Sequence, residues 1–182
     1  MPMVPRQMRQ RKYEGCINRS TLPYDGGFVS SVVTMYANKS MAEQIPGAGV
    51  HYPSYATATC DGVLTLHALH LEKNQTCIDA MHWLEMHQDM AQIEGLSADD
   101  PDQWYRIMHF YHLAVRAEAM TAAGIQGKWA NQMAALLIKE QLYGGFYLNP
   151  TGGANKEDDP LLATAFAVLA MNRLLSGDYG LK

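Results

Sequence analysis

The feature that most constrains this chain is a segment that occurs twice. Toward the C-terminus, Gly144-Gly145-Phe146 is followed by a polar loop, then by Asp159-Pro160, then by an apolar run to Leu175 that contains Ala163-Thr164-Ala165. Toward the N-terminus, Asp25-Gly26-Gly27-Phe28 leads through an irregular stretch to Ala56-Thr57-Ala58 and an apolar run to Leu71. A loop-and-helix unit repeated within one chain implies a stack of like units, because each leaves an apolar face that a neighbour must cover. Asp159 can accept bonds from the unpaired N–H groups of a first helical turn, and Pro160 suits the first helical position because it has no N–H to lose. The helix that follows is apolar all round and is expected to be buried all round.

Read in order, the chain alternates two kinds of helix. Ser54 is placed as the N-cap of a buried helix reaching about Glu72, and Lys73 to Thr76 breaks it. The next helix, Cys77 to Met90, is one-faced: Ile78, Met81, Trp83 and Leu84 are apolar, whereas Asp79, Glu85 and Gln88 are polar. Asp100-Pro101 starts a second buried helix from Asp102 to Ala123, ended by Gly124, and Lys128 to Gln141 is again one-faced. Residues 1–53 read as a helix remnant at Arg6 to Tyr13 followed by a long irregular region, and 54–182 as the repeats, within one domain. Buried and half-exposed helices in alternation imply an all-α fold in two concentric layers, an α/α toroid.

Charge and cysteine usage exclude several classes. The net charge is −4, and the only Lys/Arg cluster is Arg9 to Lys12, so neither nucleic acid nor an anionic membrane is an expected partner. The longest uncharged apolar run, Leu161 to Met171, is too short to span a bilayer, which takes roughly 18 to 20 residues. Cys16, Cys60 and Cys77 are odd in number and lack CxxC spacing, so a disulfide framework is not expected and a reducing compartment, the cytoplasm, is favoured.

The Gly-Gly-Phe loops, the run Asp158-Asp159-Pro160-Leu161-Leu162-Ala163-Thr164-Ala165-Phe166-Ala167 and the pair Tyr111-His112 resemble the repeats shared by squalene and hopene cyclases and by the β subunits of protein prenyltransferases. The likeness covers most of residues 10 to 175 and is nearest to the uncharacterised bacterial prenyltransferase/squalene oxidase repeat proteins. Gln141 to Phe146 partly matches the cyclases' Gln/Trp motif, with Phe146 where Trp is usual. The resemblance implies inner helices around a central cavity. Three inner and two outer helices, with the Arg6 to Tyr13 remnant, amount to about half of a six-hairpin ring. A half-ring leaves a flank open, so another protein subunit or a second copy is the expected partner.

Polar residues on the inner helices are the candidate site. Asp61 stands in an apolar helix, in a stripe with Thr57 and Thr65; a buried carboxylate must be paired, and such groups often have shifted pKa values. On the next inner helix Tyr105, His109, His112 and Arg116 share a broad face, among the aromatics Trp104 and Tyr111. Asp61 and His112 are the best catalytic candidates. Asp61, Trp104, Tyr105, His109, Tyr111, His112 and Arg116 are the candidate lining of a ligand site. Phe110-Tyr111-His112 is similar to the histidine motif of the prenyltransferase zinc site, which implies Asp and Cys two residues apart as further ligands. Here Leu161 stands where that Cys is needed, and Cys60-Asp61 are adjacent, roughly 100° apart around a helix. The expectation is therefore no cofactor, with Cys60, Asp61 and His112 the fallback zinc set. Neither acidic cluster, Asp99 to Asp102 nor Glu157 to Asp159, supplies the DxDD acid of the cyclases, and both read as loop and cap carboxylates at helix N-termini. Two functions follow as expectations: a non-catalytic module that binds a partner protein or an isoprenoid-like apolar ligand through its inner-helix face, or a cyclase- or prenyltransferase-type enzyme whose remaining residues lie elsewhere.

Overall fold

The structure, a computed structural model, describes residues 4–5, 25–31, 37–47 and 49–176. Arg6 to Tyr13, expected as a helix remnant, lies outside them, as does Cys16. Among the described residues the protein is mostly helical: α1 (Ala56–Ala68), α2 (Gln75–Met86), α3 (Trp104–Ile107), α4 (His109–Ala122), α5 (Trp129–Glu140) and α6 (Pro160–Ser176). The region expected to be irregular holds two small antiparallel pairs. One joins β1 (Val4–Pro5) to β2 (Phe28–Val29), and the other is the hairpin of β3 (Glu43–Ile45) and β4 (Gly49–His51). The hairpin turn relies on Gly47 and Gly49, both at positive φ.

The helix ends show which local signals prevailed. α1 starts at Ala56 behind an extended Tyr55 that makes no side-chain cap, so Ser54 is not its N-cap. Loop carbonyls take that role: Phe28 accepts from Tyr55 N–H at 3.2 Å and Glu94 from Ala56 N–H at 2.8 Å, while the Ser54 hydroxyl donates to Asp25 at 2.8 Å. α1 ends at Ala68, short of Glu72, in a Schellman turn that places His70 at φ 56. Gly124, at φ 65, fills the corresponding position after α4, where Gly124 N–H reaches Thr121 O and Ile125 N–H reaches Met120 O. Asn74 caps α2 through Thr76 N–H at 2.9 Å, and Asp159 accepts from Leu161 N–H at 2.8 Å before α6.

The helix expected from Asp102 to Ala123 is broken at Met108. A break frees backbone groups that must find other partners. Asn149 donates to the Arg106 carbonyl at 2.7 Å, and the fully buried Glu157 carboxylate accepts from Phe110 N–H at 2.9 Å and Tyr111 N–H at 2.8 Å. Glu157 is thus a cap carboxylate, as the sequence implied, but for α4 rather than for the helix that follows it.

α4 packs between α1 and α6, with α2 against α1 and α5 against α6. The core where they meet contains Cys60, Val63, Leu84, Leu113, Met120, Trp129, Met133 and Leu137. Each Gly-Gly-Phe loop gives one N–H to a helix threonine, but one residue apart in the motif: Phe28 N–H donates to Thr59 Oγ1, and Tyr147 N–H, one residue past Phe146, to Thr164 Oγ1, each at 3.0 Å. That bond matches Thr59, not Thr57, with Thr164, and Phe28 with Tyr147, a register other than the one the matching letters imply. α6 departs from the sequence expectation. Ala163, Ala167 and Ala170 are buried, yet Leu161 is 78% exposed and Leu175 85%, so a helix apolar all round is covered along one side.

Candidate functional site

The seven candidate residues fall into three groups. The first lies where α1, α4 and α6 meet. Tyr111 O–H reaches both Asp61 carboxylate oxygens at 2.8 Å, and the Tyr111 ring meets Phe166 edge-on at 5.7 Å between centroids. Asp61 and Phe166 each lie two residues beyond the threonine that accepts a loop N–H, Thr59 and Thr164, so one tyrosine touches the same position of two helices. Burial raises the Asp61 pKa, opposed by the Tyr111 hydrogen bond and by the positive charge of Lys39. Lys39 joins the group from the segment before β3, its ammonium 4.9 Å from the Trp104 ring centroid, and burial lowers its pKa against the pull of Asp61. Tyr55, whose hydroxyl bonds to Ser30, has a pKa raised by burial. Asp61, Tyr111 and Trp104 therefore belong to one neighbourhood, and Lys39, which no motif or periodicity singles out, connects them.

The second group is interior. His112 and Arg116 are fully buried one turn apart on α4, with Cys60 also buried and influenced by the Arg116 charge. Burial first, and then the adjacent Arg116 charge, hold His112 well below the usual histidine range, so it is neutral. Arg116 reaches Glu94 at 3.4 Å, while its Nε and Nη1 and both ring nitrogens of His112 have no hydrogen-bond partner among the described residues. Burial pushes the Cys60 thiol up to about 12, which makes it a poor nucleophile. Among the described residues no three His, Cys, Asp or Glu side chains are grouped so as to hold a metal ion, and Cys60, Asp61 and His112 do not form such a set.

The third group lines a cleft of about 490 Å3 between the loop at 91–98, α3, the start of α4, the end of α5 and the loop at 149–151. His109 Nε2 lies 2.7 Å from Glu140 Oε2, with Tyr105 and Arg106 on the adjoining wall. The expected single face of Tyr105, His109, His112 and Arg116 is thus divided by the break at Met108. Tyr105 and His109 look into the cleft, whereas His112 and Arg116 are interior. Sequence reasoning misses Glu140 and Arg106; Glu140 shows there only as a charge at the end of a one-faced helix.

No described helix is long and apolar enough to cross a membrane. Set against protein-family models, curated proteins and solved structures, the chain matches none of them.

Proposed function

We propose that this chain is a helical-repeat module built as about half of an α/α toroid of the cyclase and prenyltransferase type, and that it acts by binding, its open flank taking a helical hairpin of a second copy. The observation that carries this is the exposed side of α6. Leu161, Ala165, Val168, Asn172 and Leu175 recur at helical spacing and are all exposed, with no charge among them. Next to this stripe an apolar groove of about 240 Å3 runs between α5 and α6, lined by Leu137, Ile138, Tyr147, Met171, Leu174 and Leu175. α4 has a helix on either side, whereas α6 has α4 and α5 and then solvent. An uncharged flank offers a foreign partner no electrostatic selection, and a self-complementary contact between like units meets it most simply.

Light scattering across a concentration series tests this. A dimer or larger ring is expected, reduced to folded monomer by Leu161→Glu with Leu175→Glu. A monodisperse monomer, or a dimer indifferent to those substitutions, overturns the reading.

A second reading, an enzyme of cyclase or prenyltransferase type, is favoured by Asp61, a carboxylate of raised pKa on an inner helix among Tyr111, Phe166 and Trp104. Turnover of squalene or of an isoprenyl diphosphate that disappears in Asp61→Asn is its test, and no turnover by the assembled oligomer sinks it.

A further inference from the structure

We propose that the cleft at the α3–α4 break binds a small zwitterion of amino-acid type, its carboxylate held by Arg106 and its ammonium by Glu140. The cavity, about 490 Å3, has the size of small-molecule sites in general and shares no lining residue with the α5–α6 groove and α6 flank on which the binding module is argued. Its charges are arranged for such a ligand. The Arg106 side chain has no hydrogen bond or ion pair with the described residues; its guanidinium lies 5.2 Å from the Tyr105 ring centroid, held over that face. Glu140 spends one oxygen on His109 Nε2 at 2.7 Å, and its other oxygen has no donor among the described residues. Arg106 and Glu140 share the cleft without pairing, so two opposite charges are presented at separate points on its wall.

The neighbours select further. Asn149 is saturated: its amide donates to the Arg106 carbonyl and to Glu157, and its oxygen accepts from Thr151 N–H and Oγ1, so it builds the wall rather than receiving a ligand. The Thr151 hydroxyl, having donated to Asn149, keeps its lone pairs for an ammonium. Ile93 and Leu96 supply an apolar side for a hydrocarbon side chain. A simple carboxylate entering this cleft would meet Glu140, and a simple amine would meet Arg106. A species carrying both charges is complementary to both, which is discrimination by unpaired charge as much as by attraction.

The test uses the full chain in its native oligomeric state. The standard L-amino acids are titrated singly by calorimetry or by amide chemical shifts, and the tightest binder is compared with the amine and the carboxylic acid of the same skeleton; for L-leucine these are isopentylamine and 4-methylpentanoate. Saturable binding of at least one amino acid is expected, weakened at least about tenfold by removal of either charge from the ligand, and likewise by Arg106→Ala or Glu140→Gln. Both side chains are at least partly exposed, and the glutamine can keep the bond to His109, so circular dichroism should show both variants folded; Lys139→Ala, one residue outside the cleft, should bind as the parent does. Three results would each overturn the proposal: no saturable binder among the amino acids, equal binding of the single-charge analogues, or binding retained in both cleft variants.

Discussion

The two Gly-Gly-Phe units share a bond and differ in almost everything around it. In the first, Phe28 is 2% exposed and sits on Gly62, where an added Cβ would lie 2.7 Å from its ring. In the second, Tyr147, which makes the corresponding bond, is likewise 2% exposed, but Phe146 beside it is 39% exposed, Tyr143 lies fully in solvent, and the helix that follows shows its side to water. Gly26, at φ +86, presses on the backbone of α2, an added Cβ meeting Asp79 O at 2.7 Å, whereas the space around Gly145 is open and its need for glycine comes from φ +83 alone. The first loop is packed against α1 and α2, and the second is largely open. The same loop chemistry serves both, so the loop specifies the unit and the neighbour decides how much that unit contributes.

Truncating the two phenylalanines should separate the units most. Phe28→Ala removes a buried aromatic and should cost about 3–5 kcal/mol, whereas Phe146→Ala should stay within about 0.5 kcal/mol in the isolated monomer. Urea denaturation of both variants measures this. Equal costs would mean that the second loop is already covered in solution. A cost for Phe146→Ala that grows with protein concentration would locate that cover.

The glycines come next. Gly26→Ala combines a left-handed backbone with a clash against a helix carbonyl and should cost roughly 2–4 kcal/mol; Gly145→Ala carries the backbone term alone, roughly 1–2 kcal/mol. Thermal melts at one protein concentration rank them. If Gly145→Ala proves the worse, a neighbouring chain occupies the space around that loop in solution.

Thr59 and Thr164 test the shared bond itself. Thr59 also donates to Tyr55 O at 2.9 Å and is wholly buried, so Thr59→Val leaves the Phe28 N–H unsatisfied in the core, at about 1–3 kcal/mol. Thr164 is half-buried, and Thr164→Val should cost about 0.5–1.5 kcal/mol, since water can replace part of what is lost. Serine at either position should restore most of the loss. A valine tolerated at both would mean that the repeat is held by packing rather than by this bond.

How much of this was legible follows the range of the interactions. Helices declared by local chemistry, such as Asp159-Pro160 before α6 and Gly124 after α4, stand where the residues put them, because caps and turns act over a few positions. The two Gly-Gly-Phe segments are legible as like sequences, but matching letters put Thr57 with Thr164, while the bond to the Phe28 amide comes from Thr59. The break at Met108 had no local sign. It is held open by Asn149 and Glu157 from a loop some forty residues on, and it separates Tyr105 and His109 from His112 and Arg116. Lys39 was invisible for the same reason. Its place beside Asp61 depends on how a segment outside the helices folds back, which no periodicity encodes.

The smallest effect concerns a position at which the two segments differ in charge. Asp61 in the first unit and Phe166 in the second both touch Tyr111, and the carboxylate sits there at a cost. Burial raises its pKa more than Tyr111 and Lys39 lower it, so the folded state holds the Asp61 proton more tightly than the unfolded chain does. The linkage sign follows: this contribution to stability is fully present below the unfolded carboxylate value and is lost as pH rises through the higher folded value. In Asp61→Asn that loss should vanish, so the variant gains on the parent between acid and neutral pH and then runs parallel to it. Urea melts of both proteins across that range give the difference directly. Parallel curves throughout would mean that the Tyr111 hydrogen bond and the Lys39 charge balance burial, and a variant that loses ground as pH rises would mean that they outweigh it. Asp61 would then be held as a carboxylate by those two neighbours, and the proposal of a proton donor at this position would fall.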